Sequence, residues 1–119
     1  MDIAEIARAY RRRADAREAA RVERYATMRQ RAQQIAAELR RTYGASVRVY
    51  LIGSLLDPDR FRTDSDVDLV VEGLEPAEYW DAWRIVESLA ASGAVDLVRL
   101  ETAGEPLRER VRAEGQELQ

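Results

Sequence analysis

Two short segments hold the residues best suited to chemistry: Gly53-Ser54, and Ser65-Asp66-Val67-Asp68-Leu69-Val70-Val71, which begins eleven positions after Ser54. The first sets a polar, phosphate-sized turn at the end of an apolar run. The second sets two carboxylates at the head of the next run. Side chains alternate along a strand, so Asp66 and Asp68 share a face with Val70, about 7 Å apart at roughly 3.3 Å per residue. Val67, Leu69 and Val71 point the other way, into a core. Two bare carboxylates side by side repel each other unless a cation lies between them. Hard oxygen donors of this kind suit magnesium or manganese, which share one or two carboxylates with substrate phosphates.

An Asp-x-Asp triplet alone says little, because the chain holds three of them: Asp57/Asp59, Asp64/Asp66 and Asp66/Asp68. Only the last runs directly into a strand; Asp57, Asp59 and Asp64 read as loop residues that keep the chain solvated. The upstream run Val47-Arg48-Val49-Tyr50-Leu51-Ile52 alternates like a strand and ends at Gly53-Ser54. Gly lets the backbone turn tightly and approach a ligand. Ser54 adds a hydroxyl and an N–H, and a helical turn opening at Ser54-Leu55-Leu56 would present an anion-binding N-terminus. By itself a Gly-Ser pair is an ordinary turn. Between two strands, and ahead of two carboxylates, it becomes a phosphate cradle beside a metal site.

A third carboxylate lies in Ala94-Val95-Asp96-Leu97-Val98-Arg99-Leu100, a run of strand length introduced by Ser92-Gly93. An Asp inside such a run is costly to bury unless it is paired or bound to metal. If this strand lies beside the Asp66 strand, Asp96 faces the other two acids. It then serves as a metal ligand or as a general base for an attacking hydroxyl; an edge-strand Asp facing water is the plainer reading.

The series Gly53-Ser54, Ser65-Asp66-Val67-Asp68-Leu69, a helix and Asp96-Leu97-Val98 resembles the polymerase-β-like nucleotidyltransferase superfamily. The likeness is greatest to its minimal nucleotidyltransferase (MNT) branch, small proteins often paired with HEPN ribonuclease toxins, and it spans Ser46 to Gln119. The resemblance implies that Gly53 and Ser54, with Ser65 from the second motif, bind the triphosphate of ATP. It implies that Asp66 and Asp68 hold magnesium, and that Asp96 completes the metal site and helps deprotonate the acceptor. Many MNT proteins carry Arg-Gly shortly after the Gly-Ser pair; this chain reads Leu55-Leu56-Asp57-Pro58-Asp59-Arg60-Phe61-Arg62, one residue longer than the common spacing. Arg60 or Arg62 is then either the triphosphate clamp or a solvated loop charge. The acceptor that the resemblance implies is a protein hydroxyl, a Tyr of a HEPN toxin, which makes the chain an antitoxin acting by adenylylation. Two rival readings stay open: an antitoxin that acts by binding alone, and a small-molecule adenylyltransferase of the aminoglycoside type. The second usually needs an extra domain, for which this chain has little room.

Composition narrows the chemistry further. The 119 residues include no Cys and no His, and all nineteen basic residues are Arg. That excludes disulfides, thiolate or His-ligated zinc, Ser–His catalysis and any P-loop or Schiff-base lysine. Carboxylates and hydroxyls remain. No apolar run reaches membrane-spanning length and Met1-Asp2-Ile3-Ala4-Glu5 does not read as a secretory signal, so the cytoplasm is the expected compartment.

The elements that must position these groups follow from patterning. Residues 1–43 carry 11 Arg against 6 acidic residues, net +5, and residues 44–119 carry 8 against 16, net −8. The first part, read as an Arg-rich helical extension, has neither Gly nor Pro, and Asp2 with Glu5 can form a capping box. One helix from Ile3 to Tyr43 would be about 61 Å long. Its stripe Val22, Tyr25, Met28, Ala32, Ile35, Leu39 and Tyr43 predicts packing on a sheet. The thinner stripe Ile3, Ile6, Tyr10 and Ala14 predicts an arm for a second copy or a partner. Interleaved Asp15, Glu18 and Glu23 offer its arginines intrahelical pairs, which favours a solvated or partner-facing helix over a nucleic-acid grip. Residues 44–119 form the transferase core. Pro76 to Ala90 reads as an amphipathic helix ended by Gly93, with Trp80 and Trp83 as core or subunit-contact residues, and Glu105-Pro106-Leu107 starts a last helix ending near Gly115. The expected fold is α/β: a small mixed sheet from strands near 46–52, 66–71 and 95–100, with helices mainly against one face.

Overall fold

The computed structural model describes residues 2–90 and 94–119; the expected Ser92-Gly93 strand entrance and Gly93 helix stop lie outside them. Helix α1, Ile3–Tyr43, is continuous. Asp2 caps it, accepting from the Glu5 backbone N–H at 2.8 Å, and Gly44 ends it at φ 115° with its N–H on the Arg40 carbonyl. Good helix formers without an internal Gly or Pro explain the uninterrupted length, and α1 gives the molecule its long 64 Å axis. Its two halves differ. Met28, Ala32, Ile35, Ala36 and Leu39 are buried, flanked by half-buried Tyr25 and Tyr43. Ile3, Ile6 and Tyr10 stay exposed. Val22, expected on the buried stripe, is 54 % exposed, so packing begins a turn later, at Tyr25.

Among the described residues four strands form one sheet: β1 Arg48–Ile52, β2 Val67–Glu72, β3 Val95–Arg99 and β4 Gln116–Leu118, in the order β3-β2-β1-β4. β1 runs antiparallel to β2 and β4, while β2 and β3 are parallel, joined through helix α2, Tyr79–Ala90. A parallel pair needs such a crossover. A 3₁₀ turn at Pro76–Glu78 precedes α2. Helix α3, Glu105–Glu114, starts at Glu105-Pro106 and stops at Gly115 as the sequence suggests. β4 was not foreseen. Its three residues are too few for a period-two pattern, yet Leu118 opposite Val49 is buried.

The alternation of each strand sorts its side chains. Val49, Leu51, Val67, Leu69, Val71 and Leu97 face the layer made by α1 and α2, where they form the main core together with Leu55 and Phe61. The opposite face keeps a small apolar cluster, Ile52, Val70 and Val111, that ties α3 to the sheet. Two helices on one side and one on the other agree with the expected arrangement. No helix among the described residues is long and apolar enough to cross a membrane.

Candidate active site

Register brings the acidic residues together. Asp68 lies opposite Asp96 in the parallel β2–β3 ladder and opposite Ile52 in the antiparallel β1–β2 ladder. Adjacent strands are about 4.8 Å apart, so Asp68 and Asp96 are immediate neighbours on the face away from α1 and α2. Asp66 stands just before β2 with the same parity. Asp68 is half-buried; Asp66 and Asp96 are exposed. Burial pushes the Asp68 carboxyl above its usual range, the negative charges of Asp96 and Asp66 push it the same way, and Arg110 pulls it back down. Negative charge is therefore crowded here beyond what the fold itself neutralises.

Gly53 explains why the turn before this cluster is glycine. Its φ is +85°, in the left-handed region, and a Cβ placed on it would come within 2.7 Å of Asp68 Oδ2. Only a residue without a side chain brings the backbone this close to the carboxylate. One 3₁₀ turn, Ser54–Leu56, follows; Leu55 is fully buried and Ser54 is half-buried at the rim. The turn and the carboxylates, twelve or more residues apart in sequence, thus share one corner of the sheet.

The loop residues are placed differently. Ser65 closes the loop: its Oγ accepts from the Arg62 N–H at 2.9 Å and its own N–H donates to the Arg62 carbonyl at 3.0 Å. Arg60 is exposed, in a turn where its N–H reaches the Asp57 carbonyl. Arg62 lines a cleft of about 360 Å³ between the loop and α1, with Arg17, Glu18 and Arg21; Asp66, Asp68 and Asp96 do not line it. A larger open cleft of about 580 Å³ on α2 is lined by Trp80, Trp83, Arg84 and Glu87, away from the acids. Trp83 packs partly on the core and Trp80 is 70 % exposed.

Arg110 was missed by sequence reasoning. It sits on α3 beside Val111, which anchors that helix over Ile52 and Val70, and its charge reaches Asp68 while its Nε lies 3.6 Å from Glu114 Oε1. Its only sequence signal is its place next to an apolar helix residue; nothing there says which face of the sheet α3 covers.

Whether these groups suit a metal follows from the donor set. Among the described residues, no group of three or more His, Cys, Asp or Glu stands close enough to hold an ion alone. Asp68, with Asp96 beside it and Asp66 at the strand entrance, supplies part of a hard-oxygen shell. That fits magnesium, which takes one or two carboxylates and completes its octahedron with phosphate oxygens and water.

No family model and no curated protein matches the chain. Solved structures do. A toxin–antitoxin complex determined with AMP-PNP is similar at 26 % identity and TM-score 0.58, over 73 % of this chain and 72 % of that one. The tri-AMPylated HEPN toxin of Shewanella oneidensis in complex with its MNT antitoxin is similar at 26 % identity and TM-score 0.54, over 76 % and 71 %. The MntA–HepT toxin–antitoxin structure gives 26 % and 0.53 over the same shares. The resemblance to the minimal nucleotidyltransferase branch carried by the motifs thus has a counterpart in the fold.

Proposed function

We propose that this chain is a nucleotidyltransferase antitoxin that moves AMP from ATP, with magnesium, onto a tyrosine hydroxyl of a HEPN-type ribonuclease toxin. The observation that carries the reading is the pairing of Asp68 with Asp96 directly above the Gly53 turn. Support comes from the similar complexes, one determined with AMP-PNP and one with an AMPylated HEPN toxin.

In this reading the Gly53 turn admits the triphosphate close to the backbone and Ser54 donates to its terminal phosphates. Asp66 and Asp68 hold magnesium, with Asp96 beside them; bound magnesium neutralises phosphate charge and aligns the in-line displacement. Asp96, exposed at the sheet's open end, takes the proton of the acceptor hydroxyl as its oxygen bonds to the α-phosphorus. The bond from that phosphorus to the bridging oxygen breaks, and pyrophosphate leaves with the electron pair. Arg110 sits where it can offset charge near Asp68. Arg60 and Arg62 are the candidate clamps from the loop.

The test is direct. Incubated with the HEPN toxin, ATP and magnesium, the chain should add the mass of one or more AMP groups to the toxin. Toxin neutralised at unchanged mass would instead favour an antitoxin that acts by binding alone.

A further inference from the structure

The arginines of α1 do something that helical spacing does not announce. Arg21 forms its intrahelical pair with Glu18, yet its Nη1 also donates to the carbonyls of Pro58 and of Phe61, the latter at 3.2 Å. Arg24 Nε donates to the Thr63 carbonyl at 2.9 Å. Arg29 Nη1 donates to the Leu55 carbonyl at 3.0 Å, and its Nη2 reaches Gln116 Oε1 at 2.8 Å. Four carbonyls of one segment, residues 55–63, are held by three guanidinium groups spaced along one helix. The only large apolar anchor in the loop half of that segment is Phe61, fully buried and edge-on to Tyr25 at 5.5 Å between ring centroids.

This segment is the one that links the Gly53-Ser54 turn to Ser65, Asp66 and Asp68. The segment makes its own turns, with Asp57 Oδ1 accepting from the Asp59 N–H and the Asp57 carbonyl accepting from the Arg60 and Phe61 N–H groups, so the contacts from α1 fix where it sits against the helix. Peptide carbonyls accept strongly from guanidinium, and the planar fork of Arg reaches two acceptors where Lys has a point charge. We propose that Arg21, Arg24 and Arg29 of α1 are positioning residues that lock the 55–63 loop, so that the helix sets how well the turn and the carboxylates meet a nucleotide. None of the three touches the reacting atoms. The proposal rests on the nucleotide reading above, and its test separates the two.

The measurement is peptide-resolved hydrogen exchange on the full chain, paired with calorimetric binding of ATP in magnesium. The variants are Arg24→Gln, Arg21→Gln/Arg24→Gln, Arg24→Lys and, as control, Arg41→Gln, which loses only a surface pair to Glu38. Exchange in residues 56–65 should quicken about tenfold or more in the double variant, because a loop opens locally without global unfolding. ATP affinity should fall by about tenfold in the double variant, the midpoint of thermal unfolding should hardly move, and Arg24→Lys, which keeps a charged N–H donor, should lose less than Arg24→Gln. Arg41→Gln should match wild type. Unchanged loop exchange in the double variant would overturn the latch. Faster exchange with unchanged ATP affinity would overturn the positioning role. A wild-type chain with a protected loop that binds no ATP would overturn the nucleotide reading and, with it, the role assigned to the latch.

Discussion

On the face of the sheet turned to α1 and α2, Val49, Leu51, Leu69 and Leu97 are sealed from solvent by a continuous apolar layer. On the other face, α3 packs through Val111 on Ile52 and Val70 with half-buried Tyr50 beside them, and the same face carries Asp68 and Asp96 side by side. The same strands build both faces, one residue out of phase. What differs is what the environment gives each side chain. The covered face gains from every methylene it buries, while the open face keeps like charges together at a cost that a cation or protonation relieves. A face made this way is left with negative charge that the fold does not neutralise.

Substitutions on the two faces should therefore move stability in opposite directions. The largest loss belongs to the covered face: Phe61→Ala removes a fully buried ring and should cost about 3–5 kcal/mol, read as a fall in the denaturation midpoint. A loss near zero would mean that the 55–63 loop does not rest on the core. Next comes the junction of the faces. Gly53→Ala forces a side chain onto a backbone at φ +85° and ψ −157° that is essentially reserved for Gly, and against Asp68 Oδ2, a strain of about 1–3 kcal/mol before the carboxylate moves aside. It should weaken ATP binding more than it lowers stability.

The open face should show the reverse sign. Without metal, Asp68→Asn should raise the melting temperature at neutral pH. The folded-state pKa of Asp68 lies above its unfolded value, so the wild type carries a penalty while the group is ionised. The advantage of the variant should shrink as pH falls through that raised pKa, and vanish below the ordinary carboxylate value. An advantage that grew on acidification would contradict the charge crowding. The smallest effect is expected on the arm: Ile6→Ser and Tyr10→Ser, both at exposed positions, should change the stability of the isolated chain by no more than about 0.5 kcal/mol.

Much of this contrast was readable from the sequence, because parity along a strand is local. Val67, Leu69 and Val71 against Asp66, Asp68 and Val70 needs only the period of two. The helix from Ile3 to Tyr43 was readable for the same kind of reason, since composition and capping act within a few residues. Register was not readable. Nothing in the residues dictates that Asp96 falls opposite Asp68 instead of one pair along; packing of α2 and the crossover decide it. Nor could the sequence reveal that Arg24 reaches a carbonyl of Thr63, thirty-nine positions away, in place of a neighbouring Glu. β4 and the position of Arg110 were lost likewise, to tertiary contacts with no local signature.

The central claim is that the crowded carboxylates serve AMP transfer. It is tested most directly by intact-mass analysis of a HEPN toxin incubated with ATP, magnesium and either the wild-type chain or its Asp66→Asn/Asp68→Asn double variant, both first shown to be folded. The wild type should add AMP to the toxin. The double variant should be slower by more than about a hundredfold, since even the outer partners of metal ligands are commonly worth 10–100-fold. Equal transfer by the two proteins would contradict the account.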